Sequence, residues 1–468
     1  MARRTDCIFC GKETGSREHT FPAALGGRRE NKGILCEGCN NGFSHLDGLL
    51  AARLSALNGL IGVRGDREDV PRLAKVEHPS EGILHADMTG RLSRPSPKVI
   101  AEAPLDETST RIEVAFANLR QYEDWRQALR REGKRVRVHE RKEVERYFDA
   151  NVQVNLSFDG DENLRSIGRI ALNFFATLWP DDARSPALES FKSYIKKGKS
   201  SPGDGAHVFW TPAGTFPLPA PATPFAHRIL FIINGSHKTA YARVCLFNAY
   251  DFVVQFGVTG QNSDACKLIT IDPLAEHAQD GVDVSVCDLP LDEFPCSLPP
   301  GSIAISEATA EMSTARVAAL FEAIRDRQWT LGTEGLVDKL NLTRSTEPGE
   351  RLTLICEQLK EHEARLYRLM TSVSDLLRER HKDSDLLAFF DWLTALDGTQ
   401  EDGLSTQARG FLQLAVRVVS HRLTERLNVG ELTEQELREL LDGVEGIRVV
   451  GTLMSEGARR IFAEDTDA

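Results

Sequence analysis

The stretch GILCEGCNNGF, residues 33–43, sets the pair Cys36 and Cys39 directly in front of Asn40. A second Cys-x-x-Cys pair, CIFC, lies upstream at Cys7 and Cys10. Zinc (Zn2+) takes four thiolate or imidazole ligands in a tetrahedron, and each Cys-x-x-Cys loop supplies two. Cys7, Cys10, Cys36 and Cys39 are therefore predicted to hold one structural zinc, since four protein ligands leave no open position for a substrate. Downstream, Leu46, Leu49, Leu50 and Leu54 make an apolar stripe at helical spacing, so a helix is expected to begin near Cys36. The stripe packs, and the first turn of the helix stays free for chemistry. The cysteines alone fit anything from a plain zinc ribbon to an enzyme.

The rest of the chain bounds the answer. Its 468 residues exceed one hydrophobic core, so two or three domains are expected. Hydrophobic residues make up 41% and charged residues 27%, as in a soluble globular protein. The start, MARRTDCIFC, has charge but no apolar stretch behind it. The longest apolar runs, IALNFFATLW and RILFIIN, suit a buried helix and a buried strand rather than a membrane span. A cytoplasmic location is the expectation. Nine cysteines, an odd number, argue against a disulfide framework. Cys245, Cys266, Cys287, Cys296 and Cys356 read as incidental thiols. The net charge is -12, and from residue 301 onward 30 acidic side chains face 20 basic ones, so most of the negative charge is C-terminal.

Three segments follow: 1–62 with the cysteines, a mixed α/β region over 63–300, and an acidic all-α region over 301–468. In the middle region RIEVAFA and VQVNLSF alternate like strands. LRSIGRIALNFFATLW is an amphipathic helix with Ile167, Ile170, Ala171, Phe174, Phe175 and Leu178 on one face. HRILFIIN and TAYARVCLFNAYDFVVQFGV read as paired strands joined by a turn at GSHK. Pro-rich breaks at 201–225 and 289–301 bound these elements. Thr433 and Glu436 predict a capping box. Leu352, Ile355, Leu359, His362, Leu366, Leu369, Val373 and Leu376 keep a heptad spacing, which serves equally a dimer seam or packing inside one bundle.

Between the cysteine pairs, SREHTFPAALGGRRENKGILCEGCNN resembles the HNH, or ββα-metal, endonuclease family. The matches are Glu18 and His19, Pro22, Gly26 and Gly27, Asn31 and Asn40, in the family's order. The Cys-x-x-Cys-Asn form is similar to that of the phage Holliday-junction-resolving endonuclease of this class. The resemblance implies an α+β chain opened by a zinc-stapled treble-clef module. It implies metal-dependent hydrolysis of DNA phosphodiester bonds, with His19 as general base. Asn40 and Glu18 would be ligands of a catalytic cation, and Asn31 would orient the imidazole or brace the loop. A neutral imidazole accepts a proton near pH 7, and a divalent cation held by few protein ligands stabilises charge on the phosphate. Many family members carry Asp where this chain has Glu18, so its carboxylate sits one methylene further out. The amide oxygen of Asn40 suits a hard ion, Mg2+ or Mn2+, better than zinc.

Asp47 lies two turns beyond Asn40 on the same helix face. With His45 it reads first as a solvated or loop-bracing pair, and alternatively as a partner behind the metal ligands. Arg28 and Arg29, inside the loop, are the candidate phosphate contacts, with the Arg3 and Arg4 pair and the YIKKGK stretch behind them. The denser basic run 130–142 reads first as a solvated helix face interleaved with glutamates. His207, His227 and His237 are expected to be structural. The region after the module looks like an accessory domain of longer HNH proteins. DNA is the expected partner, RNA not being separated from it, with a homodimer or protein partner for the helical region. The competing reading is a non-catalytic zinc-stapled nucleic-acid-binding or scaffold protein, which needs the four cysteines but not Glu18, His19, Asn31 and Asn40 together.

Overall fold

A computed structural model describes residues 6–65, 71–106, 109–142, 152–154, 156, 160–198, 207–210, 218, 223–275, 282–286, 307–380, 384–397, 400 and 402–464. Arg3, Arg4, Cys287, Cys296, Lys199 and the second Pro-rich break lie outside them. The fold is mixed α/β and multi-domain. The chain divides into two compact units, Met1–Trp125 with Val152–Leu331, and Arg126–Asn151 with Gly332–Ala468.

The first unit opens with a two-residue hairpin, β1 (Glu18–His19) against β2 (Glu30–Asn31), then helices α1 (Glu37–Arg53) and α2 (Ser55–Ile61). The expected helix does start at the second cysteine pair, with Cys36 as its N-cap. Strands β3 (Ala74–His78), β4 (Gly82–Ala86) and β5 (Leu92–Ser93) form a small antiparallel sheet. An exposed hairpin follows, β6 (Lys98–Pro104) with β7 (Thr110–Ala115), and leads into α3 (Leu119–Arg131). Of the VQVNLSF strand, Gln153 makes an isolated bridge to Glu77.

Helix α4 (Asp161–Leu178) runs through the middle of this unit, followed by α5 (Pro180–Ala183) and α6 (Glu189–Lys197). The strands are β8 (Val208–Trp210), β9 (His227–Asn234), β10 (Thr239–Leu246), β11 (Tyr250–Val258), β12 (Ala265–Ile271) and β13 (Val282–Val286). They form one antiparallel sheet in the order β13-β12-β9-β10-β11-β8. The turn at GSHK joins β9 to β10 as expected, with Asn234 opposite Thr239. Alternation assigns Ile229, Phe231, Ile233, Ala242, Val244, Val254 and Phe256 to the face under α4, where Phe175 stacks on Phe256 at 4.6 Å. Helix α7 (Glu307–Gly332) adds Leu320 and Ile324 to the same core.

The cysteine module has no core of its own. Cys7, Phe21, Leu25, Phe43, Leu46 and Leu50 belong to one continuous apolar cluster with α4 and the sheet. Helix α4 is therefore covered on both sides. Its polar positions Arg165, Ser166, Arg169 and Asn173 are as buried as its apolar stripe.

The second unit is helical: α8 (Leu336–Leu342), α9 (Pro348–Lys360), α10 (Glu363–Arg380), α11 (Ser384–Leu393), α12 (Thr406–Val429), α13 (Glu434–Leu441) and α14 (Val444–Glu464). The capping box of Thr433 and Glu436 is present. The heptad run is not one helix. It breaks at Glu361 and His362, and α9 packs on α12 while α10 packs on α14. Ile355, Leu359, Leu366, Leu369 and Val373 are buried inside this bundle, so the repeat is used within the chain.

Candidate metal centre and nuclease site

The Sγ atoms of Cys7, Cys10, Cys36 and Cys39 lie within 4.8 Å of one another, with Cys10 and Cys36 3.5 Å apart. A tetrahedral zinc–thiolate site needs sulfurs about 3.8 Å apart. The donor set and its packing thus fit a structural zinc. The first pair turns through Gly11, whose N–H donates to the Cys7 carbonyl at 3.0 Å. The second pair begins α1, where the Cys39 N–H pulls the Cys36 thiol down while burial pushes the Cys39 and Cys10 thiols up. Both loops are anchored by Arg184, which ends α5: its Nε donates to the Asp6 carbonyl at 2.9 Å and its Nη2 to the Gly33 carbonyl at 2.8 Å.

The hairpin pairs Glu18 with Asn31 and His19 with Glu30. Neighbouring strand residues point to opposite faces. Glu18 points inward and is buried, while His19 is half-buried. The turn between the two strands carries Gly26 and Gly27. Gly26 has φ +88°, and a Cβ there would sit 2.5 Å from Pro273 Cα. A Cβ on Gly27 would meet the Phe21 carbonyl oxygen at 2.0 Å. The fully buried His227, first residue of β9, accepts from the Phe247 N–H at 3.3 Å and donates from Nε2 to the Leu25 carbonyl at 3.1 Å. It is structural, as expected, and burial holds it neutral with its pKa at about 3.

Glu18 is engaged by α4. Its Oε1 accepts from Asn173 Nδ2 at 3.0 Å and from Arg169 Nη2. The same guanidinium donates from Nη1 to Asp47 Oδ1 at 2.5 Å and lies over the Phe43 ring, 5.3 Å from its centre. Asp47, its side chain still 39% exposed, is thus more than a solvated residue: it shares the buried Arg169 with Glu18. Burial lifts the Glu18 carboxyl to about 7, against the pull of Arg169 and with the Asp47 charge adding to the rise. The second Glu18 oxygen, Oε2, accepts no hydrogen bond among the described residues.

Asn40 sits in the first turn of α1. Its Nδ2 donates to Ser16 Oγ at 2.7 Å, which fixes the amide and leaves Oδ1 without a partner among the described residues. Asn31 uses both ends in bracing the loop: Oδ1 accepts from the Gly33 N–H at 2.8 Å and Nδ2 donates to Thr177 Oγ1 at 3.1 Å. Of its two expected roles, loop bracing is the one these bonds serve. Arg28 turns back to the carbonyl of Arg64, Nη2 to O 2.6 Å, whereas the Arg29 side chain is exposed. His45 caps locally, with its Nδ1 3.0 Å from the Gly42 carbonyl oxygen.

The residues missed from the sequence are Ser16, Arg169, Asn173, Thr177 and Arg184. A signal for the α4 set was present. Arg165, Arg169, Asn173 and Thr177 recur every four residues, a polar stripe opposite the apolar one. It reads as a solvent-facing side until the module is known to lie on it. Comparison with curated proteins and with solved structures gives no match to this chain. In the comparison with protein families, residues 7–53 match the family model described as HNH endonuclease.

Proposed function

We propose that the chain is a metal-dependent endonuclease that hydrolyses DNA phosphodiester bonds, with its chemistry in a treble-clef module over residues 1–62. In this reading the four cysteines hold structural zinc and fix the start of α1. His19 takes the proton from the attacking water. Asn40 Oδ1 and Glu18 Oε2 are the oxygens that would hold Mg2+ or Mn2+, and such a cation stabilises charge on the phosphate and the leaving oxygen. Arg29 offers a cation to the substrate backbone. Helix α4, from the accessory region over 63–300, fixes Glu18 through Arg169 and Asn173. The acidic region 301–468 stays outside the chemistry.

The observation that carries this reading is the state of Asn40. Within a segment that matches the HNH endonucleases, its amide is fixed by Ser16 and its oxygen is left open. A second reading, a zinc-stapled nucleic-acid-binding or scaffold module without catalysis, draws on the opposite feature: the ion pair of Arg169 with Glu18 already neutralises one of the expected metal ligands.

Plasmid cleavage with Mg2+ or Mn2+ separates the two. Wild type should nick or linearise DNA. Asn40→Ala and His19→Ala should each reduce the rate by at least about 10²-fold, the scale of a lost general base, with folding and zinc content unchanged. Wild type that binds DNA but leaves it uncut under both metals would establish the second reading.

A further inference from the structure

The basic run 130–142 holds seven Lys and Arg side chains against two Glu, in a chain whose net charge is -12. The expected solvated helix face is only its beginning. Helix α3 ends at Arg131, Gly133 turns with φ +78°, and residues 134–142 belong to no helix or strand. All seven basic side chains are exposed. Lys134 pairs with Glu132 at 2.8 Å and Lys142 with Glu140 at 3.4 Å. Arg130, Arg131, Arg135, Arg137 and Arg141 pair with no carboxylate among the described residues. A solvated face interleaved with glutamates would show Arg–Glu pairs one turn apart. Five unneutralised guanidiniums on a short stretch repel one another instead, and such blocks serve as contacts for a polyanion.

We propose that residues 130–142 form a sequence-independent contact for the backbone of duplex DNA. The proposal rests on the nuclease reading only for the identity of the polyanion. Guanidinium is the side chain best matched to phosphate, and Arg outnumbers Lys here five to two. Single strands are held by stacking bases on aromatic rings, and this stretch has no Phe, Tyr or Trp. An interfacial membrane helix sets an apolar face beside its charges, and only Val136 and Val138 are on offer here.

The test uses the full chain carrying His19→Ala, so that DNA is bound and not cut. Binding of two fluorescent duplexes of unrelated sequence is followed by anisotropy from about 50 to about 200 mM salt. It is repeated with Arg130, Arg131, Arg135, Arg137 and Arg141 all changed to Gln. Five lost phosphate contacts should make the slope of log K against log salt shallower by about four to five, equally for both duplexes. Affinity at low salt should fall by about tenfold or more. An unchanged slope overturns the proposal. So does a loss confined to one sequence, or tighter binding of the His19→Ala chain with its five arginines intact to single strands, RNA or phosphatidylserine vesicles than to duplex DNA. An unchanged circular dichroism spectrum and melting temperature show that the variant is folded. The same five changes in a chain with His19 intact should still cleave at saturating DNA. A changed slope in a protein that never cleaves would sink the nuclease reading alone, and cleavage with an unchanged slope would sink this one alone.

Discussion

Glu18 and Asp251 are both almost fully buried, at 4% and 2% exposure, and both accept hydrogen bonds from guanidinium groups. Their carboxyls nevertheless move in opposite directions. Burial pulls both upward. At Asp251 it is outweighed by Arg243, which binds in a fork with Nε and Nη2 each at 2.9 Å, and by Arg316 on the same Oδ2. Asp251 is therefore held below the usual carboxylate range. At Glu18 one guanidinium is shared with Asp47, and burial wins, lifting the carboxyl to about 7. Two cations on one anion make a locked joint between β10, β11 and α7. One cation between two anions makes a site that keeps a proton up to near-neutral pH, inside the segment that matches a nuclease family.

The comparison is broken most severely at Asp251. Asp251→Ala leaves Arg243 and Arg316 facing each other, and neither can shed its proton. Removing one member of a buried ion pair costs about 3–5 kcal/mol, and this change should fall at the top of that range in urea unfolding. Arg169→Ala should cost less, about 2–3 kcal/mol, because the orphaned Glu18 can take up a proton and lose its charge. Equal losses for the two variants would mean that the number of arginines is not what separates the sites. Arg169→Ala should also weaken plasmid cleavage, since Glu18 would lose the anchor that fixes its free oxygen. A destabilised variant that still cuts at the wild-type rate, assayed well below its melting temperature, would make Arg169 a purely structural residue.

What the sequence showed and hid follows from range. The four-cysteine cluster, the start of α1, the β9–β10 hairpin at GSHK and the capping box at Thr433 are local patterns, and each appears where its residues predict, whereas the stretch 239–258, expected as one strand, turns at Phe247 and Asn248 into β10 and β11. The apolar stripe of α4 was legible for the same reason. Its polar stripe was not, because periodicity says which side is polar and not what covers it. Arg169 meets Glu18 across 151 positions of sequence, and no local rule reaches that far. The heptad at 352–376 shows the same limit: its spacing demands a partner, and the bundle supplies one from within. Around Asn40 the motif named the residue, but the orientation of its amide depends on Ser16, which no part of the motif marks.

The gentlest test of the comparison uses pH alone. Glu18 has its carboxyl raised from an ordinary 4.5 to about 7 in the folded protein, so the folded state holds that proton more tightly than the unfolded chain. Its contribution to stability is complete below about 4.5 and fades as pH rises through 7. Asp251 works in the opposite sense: its contribution is complete above the ordinary 3.8 and is lost only as pH falls below it. Between these limits Glu18 titrates alone of the two. The stability difference between wild type and Glu18→Gln should therefore drift by up to about 1.4 kcal/mol per pH unit, with wild type losing ground as pH rises. Urea midpoints of zinc-loaded protein, taken without Mg2+ or Mn2+, measure that drift. Gln keeps an acceptor oxygen for Arg169 and Asn173, so the packing is retained and only the titration is removed. Parallel curves for the two proteins would mean that Glu18 stays ionised throughout. Arg169 would then be as sufficient a partner for it as two arginines are for Asp251.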